Sequence, residues 1–333
     1  MAKSSSRLFK VTVIGGGTGS FTILTGLKNY PDLDLAAIVA MTDDGGSSGL
    51  LRDELGALPP GDSRQCLVAL SESEDIWRRL FTYRFTNGGL GGHNFGNLFI
   101  TALEQITGSY EEALEWAGNL LKTKGQVIPV TLDDVRLVAQ TQSGKKIVGE
   151  HNIDLKEEPI NAVGFDKDPS PNPKAIKRIL ESDLIVIAPG DIYTSILPNL
   201  LVSGICSALK ESRGKKVYVC NLMAQKFHTQ NFKVIDFIRL FEKYNCTNIF
   251  DYVIYNSKEP QKEFLQSYAS EGEFPVKFSE GDFNGSKTKF LGRDILSQKV
   301  PKKVEGDKLI RALIRHDPYK TASVIYGILN GKK

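Results

Sequence analysis

The first residues that suggest chemistry are the glycines of the segment Gly15-Gly16-Gly17-Thr18-Gly19-Ser20, which follows an apolar, β-branched stretch at residues 8–14. Glycine lets a backbone turn sharply and approach an anion without an intervening Cβ atom. A helix that begins there directs its free N–H groups and its positive dipole end at the anion. The pattern is close to the dinucleotide fingerprint, although Ser20 stands at the third small position. The segment therefore predicts a phosphate-binding loop, and a tight turn without a ligand is the alternative.

A pair of adjacent acids, Asp43 and Asp44, follows the second apolar stretch at residues 35–41 and precedes the small residues Gly45 to Gly49. In an open parallel sheet, this end of the strand faces the same crevice as the glycine loop. Paired carboxylates there would hold a sugar hydroxyl or Mg²⁺, or would accept the proton of an attacking hydroxyl. We predict Asp43 and Asp44 as candidate catalytic residues, with either one a candidate magnesium ligand. A solvated polar turn is the alternative.

Two arginines near these acids are candidates for binding phosphate oxygens. Arg52 and Arg64 carry planar guanidinium groups, which pair with phosphate in a bidentate manner. Arg64 follows Asp62 and Ser63, and either of those residues would cap the helix predicted to begin there. Surface arginines without a ligand are the alternative for both positions.

Polar residues also follow three later elements. His93 lies in a second glycine-rich loop, residues 91–97, where it would supply a cation or a general acid beside a phosphate. The apolar stretches at 184–188 and 216–220 lead into polar residues at the same predicted edge of the sheet. Each segment alone would serve as a helix start, but their convergence on one crevice indicates a ligand site.

The elements that position these residues follow from the hydrophobic pattern. Strands are predicted at 8–14, 35–41, 161–165, 184–188, 216–220 and 252–255, a helix at 20–30, and a long loop with little secondary structure at 42–64. The Ser143-Gly144 pair between alternating residues predicts a hairpin within 126–150. The fold class is α/β, a doubly wound, mostly parallel Rossmann-like sheet with an inserted antiparallel β-hairpin. We expect a nucleotide-binding half at 8–125, a hairpin insertion at 126–160, and a second half of the sheet with C-terminal helices, including residues 309–313 and 322–325, at 161–333.

Composition limits the classes of function. The 333 residues carry a net charge of +3, which is too small for a typical nucleic-acid binder. The four cysteines lie far apart without a CxxC pair, so we expect buried free thiols. No apolar run reaches the length of a membrane span, and the first residues do not read as a signal peptide. We therefore expect a cytoplasmic protein without nucleic-acid or membrane partners, with a homodimer as the default assembly and unknown protein partners.

Several long motifs in fixed order resemble the CofD/YvcK family: VTVIGGGTGS, MTDDGGSSGLLRDELGALPPGDSRQCLVALS, GGHNFGNL, APGDIYTSILPNLLVSGICSALK, VCNLM and the late segment IRHDP. One branch of this family is a phospholactate transferase that uses a guanosine diphosphate-linked donor and a deazaflavin acceptor. The motifs of this chain are more similar in sequence to the YvcK-type branch, which is called a gluconeogenesis factor. That resemblance implies binding of UDP-sugars such as UDP-N-acetylglucosamine and a role in cell shape and carbon-source use.

The resemblance implies that the nucleotide diphosphate lies at residues 16–19 and that later motifs form the walls of the site. With the residues argued above, the candidate ligand-binding set is Gly16, Gly17, Thr18, Gly19, Gly45, Gly46, Arg52, Asp62, Arg64, His93, Asn94, Asn97, Asp191, Tyr193, Ser195, Asn221, Met223 and Arg315. The chain departs from the YvcK-type pattern after Met223. Lys226 and His228 stand in a segment where that pattern has a glycine and an acid, which puts the ligand preference of that wall in question.

Three hypotheses for function follow. The first is a regulatory protein that binds a nucleotide diphosphate-sugar without turning it over. The second is a CofD-like phospho-transferase in which Asp43 or Asp44, with Mg²⁺ as the only candidate cofactor, assists an acceptor hydroxyl. The third, an NAD(P)-dependent oxidoreductase, fits less well because the acidic pair lies in a glycine-rich loop and the last glycine of the fingerprint is missing.

Overall fold

A central seven-stranded parallel sheet organises the chain, and the computed structural model describes residues 7–298 and 313–331. The strands are β1 Phe9–Ile14, β2 Leu33–Val39, β3 Gln126–Pro129, β4 Leu137–Thr141, β5 Lys146–Val148, β6 Ile160–Phe165, β7 Leu184–Ile187, β8 Lys215–Val219, β9 Met223–Ala224, β10 Tyr252–Asn256, β11 Phe274–Pro275 and β12 Lys289–Arg293. The α-helices are α1 Gly17–Leu27, α2 Gly46–Leu55, α3 Gly61–Leu70, α4 Asp75–Thr82, α5 Phe95–Thr107, α6 Tyr110–Leu120, α7 Glu150–Asp154, α8 Pro173–Glu181, α9 Leu197–Leu201, α10 Ile205–Glu211, α11 Val234–Lys243, α12 Lys262–Ser270 and α13 Pro318–Leu329.

The strand order is β12-β10-β8-β7-β1-β2-β3, so the sheet grows outward from β1 in both directions. Strand β1 pairs in parallel with β2 on one side and with β7 on the other. The point where the order reverses lies between β1 and β7, and the carboxyl ends of both strands border the crevice that forms there. The predicted doubly wound α/β class is confirmed.

Alternate residues of the central strands enter two separate hydrophobic cores, one on each face of the sheet. Val11 and Val13 belong to the first core, whereas Ile14 belongs to the second. This alternation explains why the strands read as continuous apolar runs, because both faces of a parallel sheet are covered by helices. On the first face, helix α1 packs against both α3 and α13.

A separate antiparallel sheet of order β5-β4-β6 carries the predicted hairpin. The hairpin is formed by β4 and β5, and β6 pairs antiparallel with β4. The prediction that residues 161–165 return to the parallel sheet is therefore wrong. Residues 126–129, predicted within the insertion, instead form β3 at the edge of the main sheet. The division of the chain at 125/126 and 160/161 stays a prediction.

The predicted loop at 42–64 contains helix α2, and this correction has a physical reason. Its sequence, GSSGLLRDEL, is rich in glycine and serine, which are poor helix formers. Tertiary contacts overcome that low propensity, because Leu51 and Arg52 are almost fully buried. At Gly49 an added Cβ would lie 2.1 Å from the carbonyl oxygen of Asp44, so close backbone packing requires glycine there.

The cysteines and the C-terminal helices complete the comparison. Cys206 and Cys246 are paired as a disulfide, so the expectation of free thiols holds only for the buried Cys66 and Cys220. The predicted helix at 322–325 is confirmed as part of α13, whereas residues 309–312 lie outside the described residues.

Within the described ranges, no single helix has the length and apolarity to cross a membrane. One pair of helical segments bent by 73°, Ile192–Leu201 with Ile205–Glu211, meets that test by length and composition only.

Candidate functional site

The glycine loop forms the N-terminus of α1 at the carboxyl end of β1, as predicted. Its geometry gives three of the glycines a role in the fold itself. A Cβ atom added at Gly16 would lie 1.9 Å from the Asp62 carboxylate, and one added at Gly19 would lie 1.6 Å from the carbonyl oxygen of Pro189. Gly17 has a φ of 57°, a conformation that favours glycine. The N–H groups of Thr18 and Gly19 lie in the first turn, where no intrahelical acceptor exists, and they are the groups available to an anion.

Asp62 lies directly against this helix N-terminus. The backbone N–H of Gly17 donates to its Oδ1 atom at 2.8 Å. Burial raises the pKa of Asp62 to about 7, and the nearby Asp43 adds to the rise. The predicted capping of α3 by Asp62 or Ser63 is wrong, because α3 begins at Gly61 and has no side-chain cap among the described residues. Asp62 instead joins α3 to α1 across the crevice.

Two further carboxylates share this environment. Burial raises the pKa of Asp43, opposed by hydrogen bonds from Ser48 and from the N–H of Gly45. Burial also raises the pKa of Glu150 well above its usual value, with Asp43 and Asp62 contributing next. The charge of Asp43 therefore acts on both Asp62 and Glu150, which places Asp43 near each of them.

Arg64 is the cation of this region. Its Nε atom donates to Asn97 Oδ1 at 2.8 Å, and its Nη1 atom donates to the carbonyl of Phe81 at 3.4 Å. Burial lowers the pKa of Arg64 to about 10, and Arg84 contributes in the same direction, while Asp43 and Asp62 oppose it. Arg64 and Asn97, both predicted as ligand-binding residues, are thus in direct contact, and their contacts with a ligand stay predictions.

Helix α7 crosses from the small antiparallel sheet to the crevice, and we call it the strap helix, Glu150–Asp154. At its start, Thr42 donates to Glu150 Oε2 at 2.8 Å, and the N–H of His151 donates to Asp44 Oδ1 at 2.8 Å. Asp44 also lies 3.6 Å from Arg136. The two adjacent acids thus differ: Asp44 holds the strap helix, whereas Asp43 faces the crevice with Asp62.

Several predicted residues support this region without facing Asp62. Arg52 is buried and pairs with Asp134 and with the carbonyl of Val135, and its Nε and Nη1 atoms have no hydrogen-bond partner among the described residues. Gly45 precedes α2 and Gly46 begins it with a φ of 47°. A phosphate contact by Arg52 stays a prediction.

The second glycine-rich loop reaches α2 through side-chain contacts. His93 Nδ1 lies 3.4 Å from Ser47 Oγ, and the N–H of Asn94 donates to the same oxygen at 3.2 Å. Asn94 caps α5 by accepting from the N–H of Asn97. Asn97 then reaches both Ser48 and Arg64, so this loop braces the arginine of the site.

The polar residues after β7 form the next wall of the crevice. Asp191 accepts from the N–H groups of Tyr193 and Thr194, each at 2.9 Å, and so caps the π-helical turn Ile192–Ile196. His228 Nδ1 lies 2.8 Å from the other oxygen of Asp191. Ser195 is partly buried in the same turn, where its carbonyl accepts from Asn199.

Beyond β7, the crevice continues as a cavity of about 250 Å³ at the ends of β8 and β10. Asn221 borders it and is held on Gly190 by two hydrogen bonds, of 3.1 and 2.8 Å. Tyr255 and Phe278 form its aromatic wall, with ring centroids 4.7 Å apart. Met223 lies in β9, next to the cavity-lining Leu222.

Arg315 lies in the C-terminal segment that returns to β8. Its carbonyl accepts from the N–H of Ser297, and the next residue, His316, contacts the carbonyl of Cys220 at 3.1 Å through Nε2. Cys220 immediately precedes Asn221, so this segment reaches the same wall of the crevice. A ligand contact by Arg315 stays a prediction.

Sequence reasoning missed two groups in this region. Glu150 and Asp154 belong to the strap helix, which the hairpin pattern assigned to an appendage, and only the tertiary fold brings them to the crevice. Tyr255 and Phe278 line the cavity but follow no motif. The sequence analysis noted His228 as a departure from the YvcK-type pattern, but it did not predict the pairing of His228 with Asp191.

Comparison with known proteins identifies the family. The model of the 2-phospho-L-lactate transferase CofD family matches residues 11–296. A Nostoc protein, provisionally named gluconeogenesis factor, is 43% identical over 323 residues, which cover 95% of this chain and 68% of the relative. A Thermotoga maritima protein with the same provisional name is 41% identical over 316 residues, covering 95% and 98%. A Bacillus subtilis protein named gluconeogenesis factor is 37% identical over 322 residues, covering 96% and 98%.

The fold comparison agrees with the sequence comparison. The crystal structure of a UPF0052 family protein from Bacillus halodurans superimposes with a TM-score of 0.89 at 34% identity, covering 97% of this chain and 100% of that one. Both the family match and the shared architecture extend over the glycine loop, the acidic pair and the later walls of the crevice. This chain belongs to the 2-phospho-L-lactate transferase CofD family, with relatives named as gluconeogenesis factors.

Proposed function

We propose that this chain is a cytoplasmic regulatory protein of the gluconeogenesis-factor type that binds a nucleotide diphosphate-sugar, with a UDP-sugar as the first candidate. In this role it would support cell shape and growth on gluconeogenic carbon sources. The names of the relatives support the regulatory class. The observation that carries the ligand class is the convergence of Asp43, Asp62 and Arg64 at the N-terminus of α1.

This convergence is costly for a protein without a ligand. Asp43 and Asp62 are both buried, and the charge of Asp43 opposes ionisation of Asp62, whereas a hydrophobic core has no need of either carboxylate. Perturbed ionisable groups in a crevice are typical of binding and catalytic sites. The first-turn N–H groups of Thr18 and Gly19 supply the complementary anion site, with Arg64 as the nearby cation.

An acidic region repels a diphosphate unless a cation lies between them. Asp43 is the carboxylate suited to hold such a cation, because Asp44 already accepts from the N–H of His151 and lies near Arg136. Mg²⁺ in nucleotide sites is held by one or two carboxylates together with the phosphates of the ligand. We propose Asp43 as the carboxylate that would hold Mg²⁺ when the nucleotide binds, where the ion would offset charge on the phosphates.

The walls beyond β7 suit the rest of the ligand. The cavity bordered by Asn221, Tyr255 and Phe278 combines an amide with an aromatic surface. Ligand sites in such folds extend along the carboxyl edge on both sides of the switch point. The nucleotide would therefore place its diphosphate at α1 and extend along this edge.

A CofD-like phospho-transferase is the second candidate, and the family match favours it. In that reaction the acceptor hydroxyl attacks phosphorus and loses its proton, while the nucleoside monophosphate leaves. The pKa of Asp62, raised to about 7, suits a group that accepts and releases a proton near neutral pH, and burial raises the pKa of the adjacent Asp43 in the same direction.

Calorimetric titration of the purified protein with UDP-N-acetylglucosamine, GDP and NAD, each with and without Mg²⁺, tests these proposals. Saturable binding of the uridine-sugar, tighter with Mg²⁺ and followed by recovery of intact ligand, is the result expected for the regulator. Preference for GDP, and turnover of a guanosine-linked donor when deazaflavin is added, would replace it with the transferase. Binding of NAD alone would reject both.

A further inference from the structure

A second cluster of donor atoms lies at the other end of the strap helix. Asp154 ends that helix, Asp191 follows β7, and His228 lies between β9 and α11. One ligand atom from each of these residues lies within 4.8 Å of the other two. Among the described residues, these three are the set of potential metal ligands whose donor atoms lie this close together.

Two of the three donors are held in place by the surrounding structure. The Oδ1 atom of Asp191 accepts from the N–H groups of Tyr193 and Thr194 at 2.9 Å, which fixes the carboxylate. His228 is only 9% exposed, and its ring makes a T-shaped contact with that of Tyr193, with centroids 6.0 Å apart. Donors held by packing and hydrogen bonds lose little freedom when they bind an ion.

The separation of these donors suits two ligands of one ion. Asp191 Oδ2 and His228 Nδ1 are 2.8 Å apart. Tetrahedral metal bonds of about 2.0–2.2 Å place neighbouring ligand atoms about 3.3–3.6 Å from each other, so these two atoms would separate by somewhat more than about 0.5 Å when an ion replaces the hydrogen bond. The Asp154 carboxylate bonds with Thr194 and remains on the exposed side of the cluster, where water has access.

We propose that Asp154, Asp191 and His228 bind one divalent transition-metal ion, with Zn²⁺ as the best match. Imidazole nitrogen is a favoured ligand of Zn²⁺, whereas Mg²⁺ and Ca²⁺ prefer sites made only of oxygen atoms. A histidine with two carboxylates leaves a position for water, as open zinc sites do. Binding replaces the hydrogen between Nδ1 and Oδ2, which leaves to the buffer as a proton.

The ion would have a structural consequence for the crevice. Glu150 and His151, at the start of the strap helix, already contact Thr42 and Asp44 after β2. An ion at Asp154 would fix the end of the same helix to the loops after β7 and β9. The strap helix would then be tied to both sides of the switch point. This site is separate from Asp43 and does not depend on the proposed nucleotide.

The test uses the full chain after removal of metal with a chelator. Calorimetry with ZnCl₂ in a buffer that does not bind zinc should give one saturable site per chain, and Co²⁺ should give a visible absorption band. Asp154→Asn and His228→Gln should each weaken Zn²⁺ binding by about tenfold or more. His151→Ala, which removes an exposed histidine from the same helix, is the matched control and should bind Zn²⁺ like the original protein.

The outcomes separate the proposal from an ordinary ion pair. The absence of saturable Zn²⁺ binding would show that Asp191 and His228 form only an ion pair, and the proposal would be wrong. Loss of the zinc site in His151→Ala, with retention in Asp154→Asn, would assign the binding to a surface histidine instead. Asp154→Asn keeps the test decisive if His228→Gln does not fold, because Asp154 is exposed.

Discussion

Replacing Asp62 with asparagine tests the cost of the charge at the N-terminus of α1. In Asp62→Asn the amide oxygen still accepts from Gly17, but the residue no longer ionises. The pKa of Asp62 rises from 3.8 to about 7 on folding, mainly because of burial. The folded protein therefore binds this proton more tightly than the unfolded chain, and its stability falls as the pH rises from 3.8 to 7. At about 1.4 kcal/mol per pKa unit, the penalty above pH 7 is at most roughly 4 kcal/mol.

Urea unfolding in metal-free buffer at pH 5 and pH 8 measures this effect. At pH 5 Asp62 is protonated in the folded protein but largely ionised in the unfolded chain, so we expect the variant to be more stable by only about 1.6 kcal/mol. At pH 8 the variant should be more stable, by up to roughly 4 kcal/mol, because it avoids the buried charge. Asp168→Asn, at an exposed position, is the control and should show no such dependence on pH.

Two results would refute this reasoning. If Asp62→Asn were less stable than the original protein at pH 8, the ionised carboxylate would stabilise the fold through the helix N-terminus. An effect of equal size at both pH values would show that Asp62 acts through packing and hydrogen bonding alone.

Three further predictions concern a cation, a glycine and a histidine. Arg64→Ala should weaken binding of the nucleotide diphosphate by roughly 1–3 kcal/mol in calorimetry, the range for a charge-assisted hydrogen bond, and unchanged affinity in a folded variant would remove Arg64 from the site. Gly19→Ala should destabilise the fold by roughly 3 kcal/mol in thermal unfolding, because its Cβ would meet Pro189, whereas the exposed Gly89→Ala should change stability by less than about 0.5 kcal/mol. Burial lowers the pKa of His316 to about 4, so the free energy of unfolding should fall by up to roughly 3 kcal/mol as the pH falls from 6.5 to 4. In urea titrations, His316→Gln should remove that part of the acid sensitivity. A pH profile identical to that of the original protein would contradict this.

The elements predicted well from sequence are those whose pattern is local. Strands β1 and β2 are apolar and β-branched, and α1 begins at a glycine cluster, so the first βαβ unit follows from neighbouring residues alone. Helix α2 does not, since its glycines and serines indicate a loop and only the burial of Leu51 and Arg52 stabilises the helix.

The candidate site divides in the same way. Asp43 follows a predicted strand and Arg64 lies at a predicted helix start, and both were candidates for one ligand site on their motifs alone. Glu150 reaches the crevice through a separate sheet, and a contact across 108 positions of sequence with Thr42 leaves no local pattern. The glycines show that a motif does not reveal every reason for a residue. The sequence assigns Gly16 and Gly19 to anion binding, but in the structure a Cβ added at either position would meet Asp62 or Pro189.

The central claim is that the N-terminus of α1 holds the diphosphate of a nucleotide-sugar, and a crystal structure with UDP-N-acetylglucosamine and Mg²⁺ tests it most directly. We predict phosphate oxygens within hydrogen-bonding distance of the N–H groups of Thr18 and Gly19, with the metal on Asp43 and the nucleoside extending along the carboxyl edge of the sheet. A nucleotide bound elsewhere, with Asp62 still on Gly17 and no phosphate at α1, would contradict the account.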